Sequence, residues 1–126
     1  MTKILIIEDD PLISHMYQKI FMVEGYEVDV AEDGVDGLRR AKKTLPTLIL
    51  LDIMMPKMNG IEVLNELKRD PLTVKIPVIV LTNLSGIQNT DDSLKNNVAK
   101  YIVKSDHKPK EIVAMVKEVL ANYTSQ

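Results

Sequence analysis

The stretch "TLILLDIMMPKMNG", residues 47–60, decides the fold. Its first five residues are β-branched or leucine with no apolar–polar alternation, so a strand here has no face suited to water and must be covered on both sides. The run then stops on Asp52, and a methionine-rich loop with one proline and one glycine follows. A carboxylate at the end of an apolar run ordinarily marks where the chain meets water and the charge keeps its hydration. Whether Asp52 is more than a solvated strand end depends on what stands at the ends of the neighbouring strands.

Composition bounds the possibilities. The chain has 126 residues, enough for one domain, and 45% of them are hydrophobic, enough for a core of its own. It has no cysteine, which excludes disulfides and thiolate zinc sites and is compatible with a reducing cytoplasm. The N-terminal "MTKILIIEDD" reaches acid after four consecutive apolar residues, too short a run for a signal peptide or a membrane span. A net charge of −2, one Phe and no Trp argue against direct nucleic-acid binding by bulk electrostatics or base stacking. The expected protein is soluble and cytoplasmic, with no membrane contact.

Outward from residues 47–51, four more short runs read as strands: "KILII" (3–7), "EVDVA" (27–31), "PVIVL" (77–81) and "KYIVK" (100–104). Helical periods lie between them. Residues 11–24 carry Ile13, Met16, Tyr17, Ile20 and Phe21 on one stripe, with Pro11 in the first turn and Gly25 as the stop. Val35 to Lys43 repeats on Leu38 and Ala41, and a third helix follows Gly60 with Ile61, Leu64 and Leu67 facing inward. The last, 110–122, presents Ile112, Val116, Val119, Leu120 and Tyr123. Between the fourth and fifth strands, "GIQNTDDSLKNN" (86–97) is weakly patterned; Leu94 and Val98 pair at helical spacing and Thr90 is a candidate cap, which predicts a short helix. Strict alternation of strand and helix predicts an α/β domain, a parallel sheet with helices on both faces, and one domain over 1–126 with no output domain.

In such sheets ligands bind beyond the carboxyl ends of the strands. The first run ends in Glu8, Asp9 and Asp10, the third in Asp52, the fourth in Thr82 and the fifth in Lys104. Adjacent strand ends then gather at least three carboxylates. At ~6 Å and an effective dielectric of ~20, each like-charge pair costs about 3 kcal/mol, so the site needs compensation. Lys104 is one source and a hard divalent cation another. Magnesium suits oxygen ligands, retains waters and leaves room for a phosphate oxygen. A carboxylate, a metal, an ammonium and a hydroxyl form a set for phosphoryl transfer.

Taken together, "IIEDD", "LLDIMMPKMNG", "VIVLTN" and "KYIVK", in this order and spacing, resemble the receiver domain of two-component response regulators, the single-domain chemotaxis-type receivers included. The resemblance covers essentially the whole chain. It implies a flavodoxin-like, doubly wound five-stranded sheet of order 2-1-3-4-5. By resemblance Asp52 is the phosphoryl acceptor and a Mg²⁺ ligand, Asp9 a direct Mg²⁺ ligand, Glu8 the holder of metal-bound water, and the Met54 carbonyl a further metal ligand. Lys104 binds a phosphoryl oxygen, Thr82 turns inward to another, and Tyr101 follows as the aromatic switch. Pro56 and Gly60 match the loop after the acceptor, Gly60 being read as supplying a backbone conformation other residues resist.

Other residues read more plainly. Asp10, before Pro11, is expected to cap the first helix. His15 and His107 are expected at the surface without a catalytic role, the histidine of the chemistry belonging to the partner. Met54, Met55 and Met58 read as adaptable packing, because the neighbouring ligands are hard oxygens. The departures from the family pattern are specific. Lys104 is followed by Ser105 in place of proline, which predicts a trans bond and a shifted loop. Asn83 stands where a small residue is usual, and predicts a crowded entrance. Met54 and Leu84, each two residues beyond a site residue, are both apolar and are expected to hinder attacking water and lengthen the phosphorylated lifetime. Lys108, at the start of the last helix, is a poor cap.

The resemblance implies a phosphoacceptor switch that is not an enzyme in the ordinary sense, though able to catalyse its own phosphorylation and dephosphorylation. The donor is a histidine kinase or phosphotransfer protein. The switched surface comprises the weak helix, the fifth strand and the last helix, its target unspecified, with the protein a monomer or a phosphorylation-dependent dimer. Three alternatives meet specific objections. A pseudo-receiver working without phosphate conflicts with the intact Asp9, Asp52, Thr82 and Lys104. An aspartyl-phosphate phosphatase or mutase needs a second acid where Met54 stands. A flavin carrier needs a phosphate-cradling loop where "EDDP" is acidic.

Overall fold

The computed structural model describes residues 2–53, 55, 58–82 and 98–124. The five apolar runs form β1 (Lys3–Ile7), β2 (Glu27–Ala31), β3 (Leu48–Asp52), β4 (Val78–Thr82) and β5 (Lys100–Val103). They build one sheet in the order β2-β1-β3-β4-β5 with every neighbouring pair parallel, the order the resemblance implied. The described helices are α1 (Pro11–Val23), α2 (Gly34–Thr44), α3 (Gly60–Arg69) and α4 (Pro109–Thr124). None of them is long and apolar enough to cross a membrane. The weak helical segment 86–97, with Thr90 and Leu94, lies outside the described residues.

The period of two along each central strand sorts side chains into two cores. Leu5, Ile7, Ile49, Leu51, Val78 and Val80 pack with Ala41 of α2 and Val63, Leu64 and Leu67 of α3. The alternate residues Ile4, Ile6, Leu48, Leu50, Ile79 and Leu81 pack with Tyr17 and Phe21 of α1 and Ile112, Val116 and Leu120 of α4. Every residue of β3 and β4 is buried, which is why "TLILL" has no polar face. Each fully buried aliphatic side chain contributes roughly 1.5–3 kcal/mol, so these two layers hold the sheet rigid beneath its carboxyl end.

Three helix starts are capped from the sequence itself. Asp10 accepts from the Leu12 N–H at 2.9 Å, Asp33 from Asp36 at 2.8 Å and Asn59 from Glu62 at 3.0 Å, each worth ~1 kcal/mol. Gly25, at φ +94°, ends α1 as expected, whereas α2 ends on Leu45 at φ 47°, a left-handed position that a leucine tolerates poorly.

Some boundaries and faces differ from the sequence reading. β3 and β4 each start and end one residue later than expected, so Asp52 and Thr82 belong to the strands and inherit their rigidity. Met16 and Tyr123 are exposed, off the inner stripes, because the α1 core face centres on Tyr17 and Phe21 and the end of α4 places Tyr123 beside Thr47 and Pro77, at the amino ends of the strands. Ile13, Ile20 and Ile61 sit at half-buried margins, while Ser14 and Val63 take fully inward positions.

Candidate functional site

Strand register brings the acids together. Ile7 pairs with Leu51, so the next residues, Glu8 and Asp52, stand side by side at the ends of β1 and β3. Asp52 pairs in turn with Leu81 and Thr82 with Val103, which sets Thr82 and Lys104 on the same rim. Glu8, Asp9 and Asp52 each offer a carboxylate oxygen, and these oxygens lie within 4.8 Å of one another. Glu8 and Asp52 are buried, Thr82 is fully buried, and Asp9 is open to solvent. Asp10 stays outside this cluster and serves as the α1 cap, as expected.

Glu8 uses both carboxylate oxygens. Oε1 accepts from the Asp10 N–H at 3.3 Å, and Oε2 meets Lys104 Nζ at 2.9 Å, a pair whose side chains are only 5% and 9% exposed. The lysine thus crosses from the end of β5, over the ends of β4 and β3, to β1. Three carboxylates with one ammonium remain electron-rich, and their all-oxygen donor set fits a hard divalent cation such as Mg²⁺. Tyr17 of α1 lies in the core beneath Glu8; burial first, and then the Glu8 charge, push its phenol above the usual range. Tyr101 on β5 is half-buried, and burial raises its phenol as well.

Gly60 has a different reason for being glycine than the sequence suggested. It sits in the first turn of α3 and lacks the positive φ that Gly25 shows. A Cβ there would lie 2.5 Å from the Ile53 Cα and 2.6 Å from the Asp52 carbonyl oxygen, so the requirement is close backbone approach. The Gly60 N–H also donates to the Ile53 carbonyl at 2.9 Å.

After β5 the chain makes a tight 3-10 turn at Lys104–Asp106, and no peptide bond among the described residues is cis. The trans Lys104–Ser105 bond expected from the missing proline is therefore present. Met55 is buried and Met58 half-buried against the α2/α3 core, consistent with packing. His15 is exposed as expected, but His107 is less of a surface residue than the sequence implied, because its Nδ1 is buried against Glu111. Met54, Pro56, Asn83 and Leu84 lie outside the described residues.

A profile of the response regulator receiver domain matches residues 4–117. The chain belongs to that family. Among curated relatives, this receiver is 38% identical over 120 residues to the DNA-binding dual master transcriptional regulator RpaA of Synechocystis, covering 95% of this chain and 49% of that one. The receiver spans about half the length of the first curated relatives it matches. Among solved structures, a CheY-like response regulator receiver domain protein from Methanospirillum hungatei superposes with a TM-score of 0.89 at 30% identity, over 99% of this chain and 98% of the other. The response regulator TrrA from Thermotoga maritima, solved in complex with Mg²⁺-BeF, gives 0.84 at 31% identity over 94% and 99%.

Two supports of the site went unread in the sequence. Asn59, just before Gly60, was legible as an N-cap followed three residues later by Glu62, the usual order of such signals. Glu111 carried a weaker signal, since the residue three before it is Lys108 and lacks a capping side chain.

Proposed function

We propose that this receiver accepts a phosphoryl group from a phosphohistidine of a histidine kinase or phosphotransfer protein onto Asp52, in the cytoplasm, and that the new charge resets its partner-binding surface. The observation that carries this reading is the gathering of Glu8, Asp9 and Asp52 within 4.8 Å, with Lys104 buried against Glu8. A carboxylate oxygen of Asp52 attacks phosphorus; the new O–P bond forms as the N–P bond of the donor breaks, and the departing imidazole keeps the electron pair. Asp9, exposed at the mouth, and Asp52 would hold the metal ion directly. Glu8, already committed to Lys104 and the Asp10 N–H, would act through water, and by the family resemblance the Met54 carbonyl would complete the protein's share of the ligands. Mg²⁺, when bound, offsets the charge of the carboxylates and phosphoryl oxygens.

Phosphorylation adds up to two negative charges beside Asp52. Lys104 then exchanges Glu8 for a phosphoryl oxygen, Thr82 donates to another, and Tyr101 follows on the adjacent strand. β5 and α4 so report the state of Asp52 to a downstream protein or a second receiver.

Intact-protein mass after incubation with a small acyl phosphate tests this. One acid-stable, base-labile phosphoryl group is expected on the wild type with Mg²⁺, and none on Asp52→Asn or without Mg²⁺. No adduct together with no Mg²⁺ binding would sink the reading in favour of a phosphate-independent interaction module.

A further inference from the structure

Lys104 stands at the head of a turn that has no proline to stiffen it. Among the described residues the turn Lys104–Asp106 closes with one long backbone bond, from the His107 N–H to the Lys104 carbonyl at 3.3 Å, and β5 pairs with β4 alone. The start of α4, just beyond the turn, is far more firmly held. The Glu111 N–H donates to the Lys108 carbonyl at 2.9 Å, and Glu111 Oε1 accepts from the Lys108 N–H at 3.0 Å, the reciprocal half of a capping box with Lys108 in the cap position. Glu111 Oε2 faces His107 Nδ1 at 3.5 Å. That nitrogen is buried and has no closer partner among the described residues, so a bare lone pair there would face a carboxylate. A proton on Nδ1 removes the conflict and joins the ring to Glu111. The neighbouring residues of α4, Ile112 and Val113, are buried in the core, which fixes the backbone from which the exposed Glu111 side chain reaches.

We propose that Glu111 is a positioning residue for Lys104: by holding the Lys108 N–H and an Nδ1-protonated His107 together, it fixes the turn that sets where the lysine ammonium lies. The carboxyl group of Glu111 is held below the usual carboxylate range, first by the Lys108 N–H and then by the His107 ring, as expected of a carboxylate accepting from both. In this chain the clamp takes over the stiffening that a proline after Lys104 would give. The role rests on the phosphoacceptor reading for its consequence, but not for its geometry.

The experiment compares the full chain with Glu111→Ala and Glu111→Gln. Long-range ¹H–¹⁵N spectra of the metal-free protein report the His107 tautomer and the amides of residues 104–108. Uptake from acetyl phosphate at saturating Mg²⁺ reports Lys104, and Mg²⁺ titration serves as the control. The wild type is expected to show the Nδ1-protonated ring. Glu111→Ala is expected to lose that signature, shift the 104–108 amides and take up phosphoryl about ten- to a hundredfold more slowly, the scale of a small misplacement, with Mg²⁺ affinity unchanged. Glu111→Gln is expected to restore uptake, because its amide oxygen accepts from the Lys108 N–H and its NH₂ donates to Nδ1 of the opposite, Nε2-protonated tautomer, which keeps the ring tied to the same side chain. Uptake by Glu111→Ala at the wild-type rate, a Gln variant as slow as Ala, or a wild-type ring protonated on Nε2 alone overturns the proposal. If the wild type takes no label, the phosphoacceptor reading is what has failed. The tautomer and the amide shifts then decide the clamp, which falls if Glu111→Ala leaves them unmoved.

Discussion

The end of β3 and the turn after β5 each deliver one residue to the same site, and they are held by opposite means. Asp52 ends a central strand, buried on both faces and flanked by β1 and β4, and its backbone rests against a glycine whose missing side chain permits the contact. Lys104 follows an edge strand with one neighbour, and just beyond its turn the Glu111 carboxylate accepts from the Lys108 N–H and faces a ring nitrogen of His107. Close packing resists displacement in every direction, whereas a hydrogen bond in reach of water contributes only ~1 kcal/mol net and can be exchanged. A switch has use for both. On the proposed function, the acceptor stays where the donor can find it and the lysine leaves Glu8 when a better anion arrives.

The contrast predicts unequal responses to damage. Gly60→Ala pushes a methyl into backbone that cannot yield, and is expected to lower stability by about 3 kcal/mol, the upper part of the range for overpacking. Denaturant melts measure this. A loss well under ~1 kcal/mol would mean the β3 loop is as pliable as the β5 loop. Lys104→Met is expected to act less, removing about 2 kcal/mol in chelator, below the roughly 3–5 kcal/mol of a fully enclosed pair because Glu8 keeps the Asp10 N–H and the site opens to water at Asp9, and to recover with Mg²⁺. Equal losses with and without Mg²⁺ would show that the lysine contributes packing and not charge.

The smallest effect separates two tyrosines. Both Tyr17, packed in the α1/α4 core beside Glu8, and Tyr101, half-buried on the edge strand, have phenols raised above 10.0. A raised folded pKa means that the native state holds its proton more tightly than the unfolded one. The associated stability is fully present below pH 10 and is lost as pH climbs through the raised value. Tyr17→Phe is therefore expected to flatten the decline in stability above about pH 10, and Tyr101→Phe to flatten it less, since the edge position is wetter. The reverse order in alkaline melts would place the rigid part of the site at β5.

Most of the fold was legible because it rests on local pattern. The runs ending at Glu8, Asp52, Thr82 and Lys104 are strands within one residue of where the sequence put them, and Asp10 and Gly25 bound α1 as read. The misreadings share a cause. Met16 and Tyr123 fit a helical period yet point outward, because period alone does not say where the sheet's edge lies. Gly60 was legible as obligatory but not why, since the atoms that exclude a Cβ belong to residues 52 and 53, across the loop.

The sequence by itself determined the alternation of strand and helix, the two-sided burial of β3, and the acids, hydroxyl and lysine at the strand ends, because each is written in consecutive residues. Tertiary structure alone decided that Lys104 lies on Glu8, that Gly60 must clear the Asp52 backbone, and that Glu8, Asp9 and Asp52 gather within 4.8 Å. Those depend on distances between segments that come together only when the sheet is wound, and on angles set by packing that no local pattern encodes.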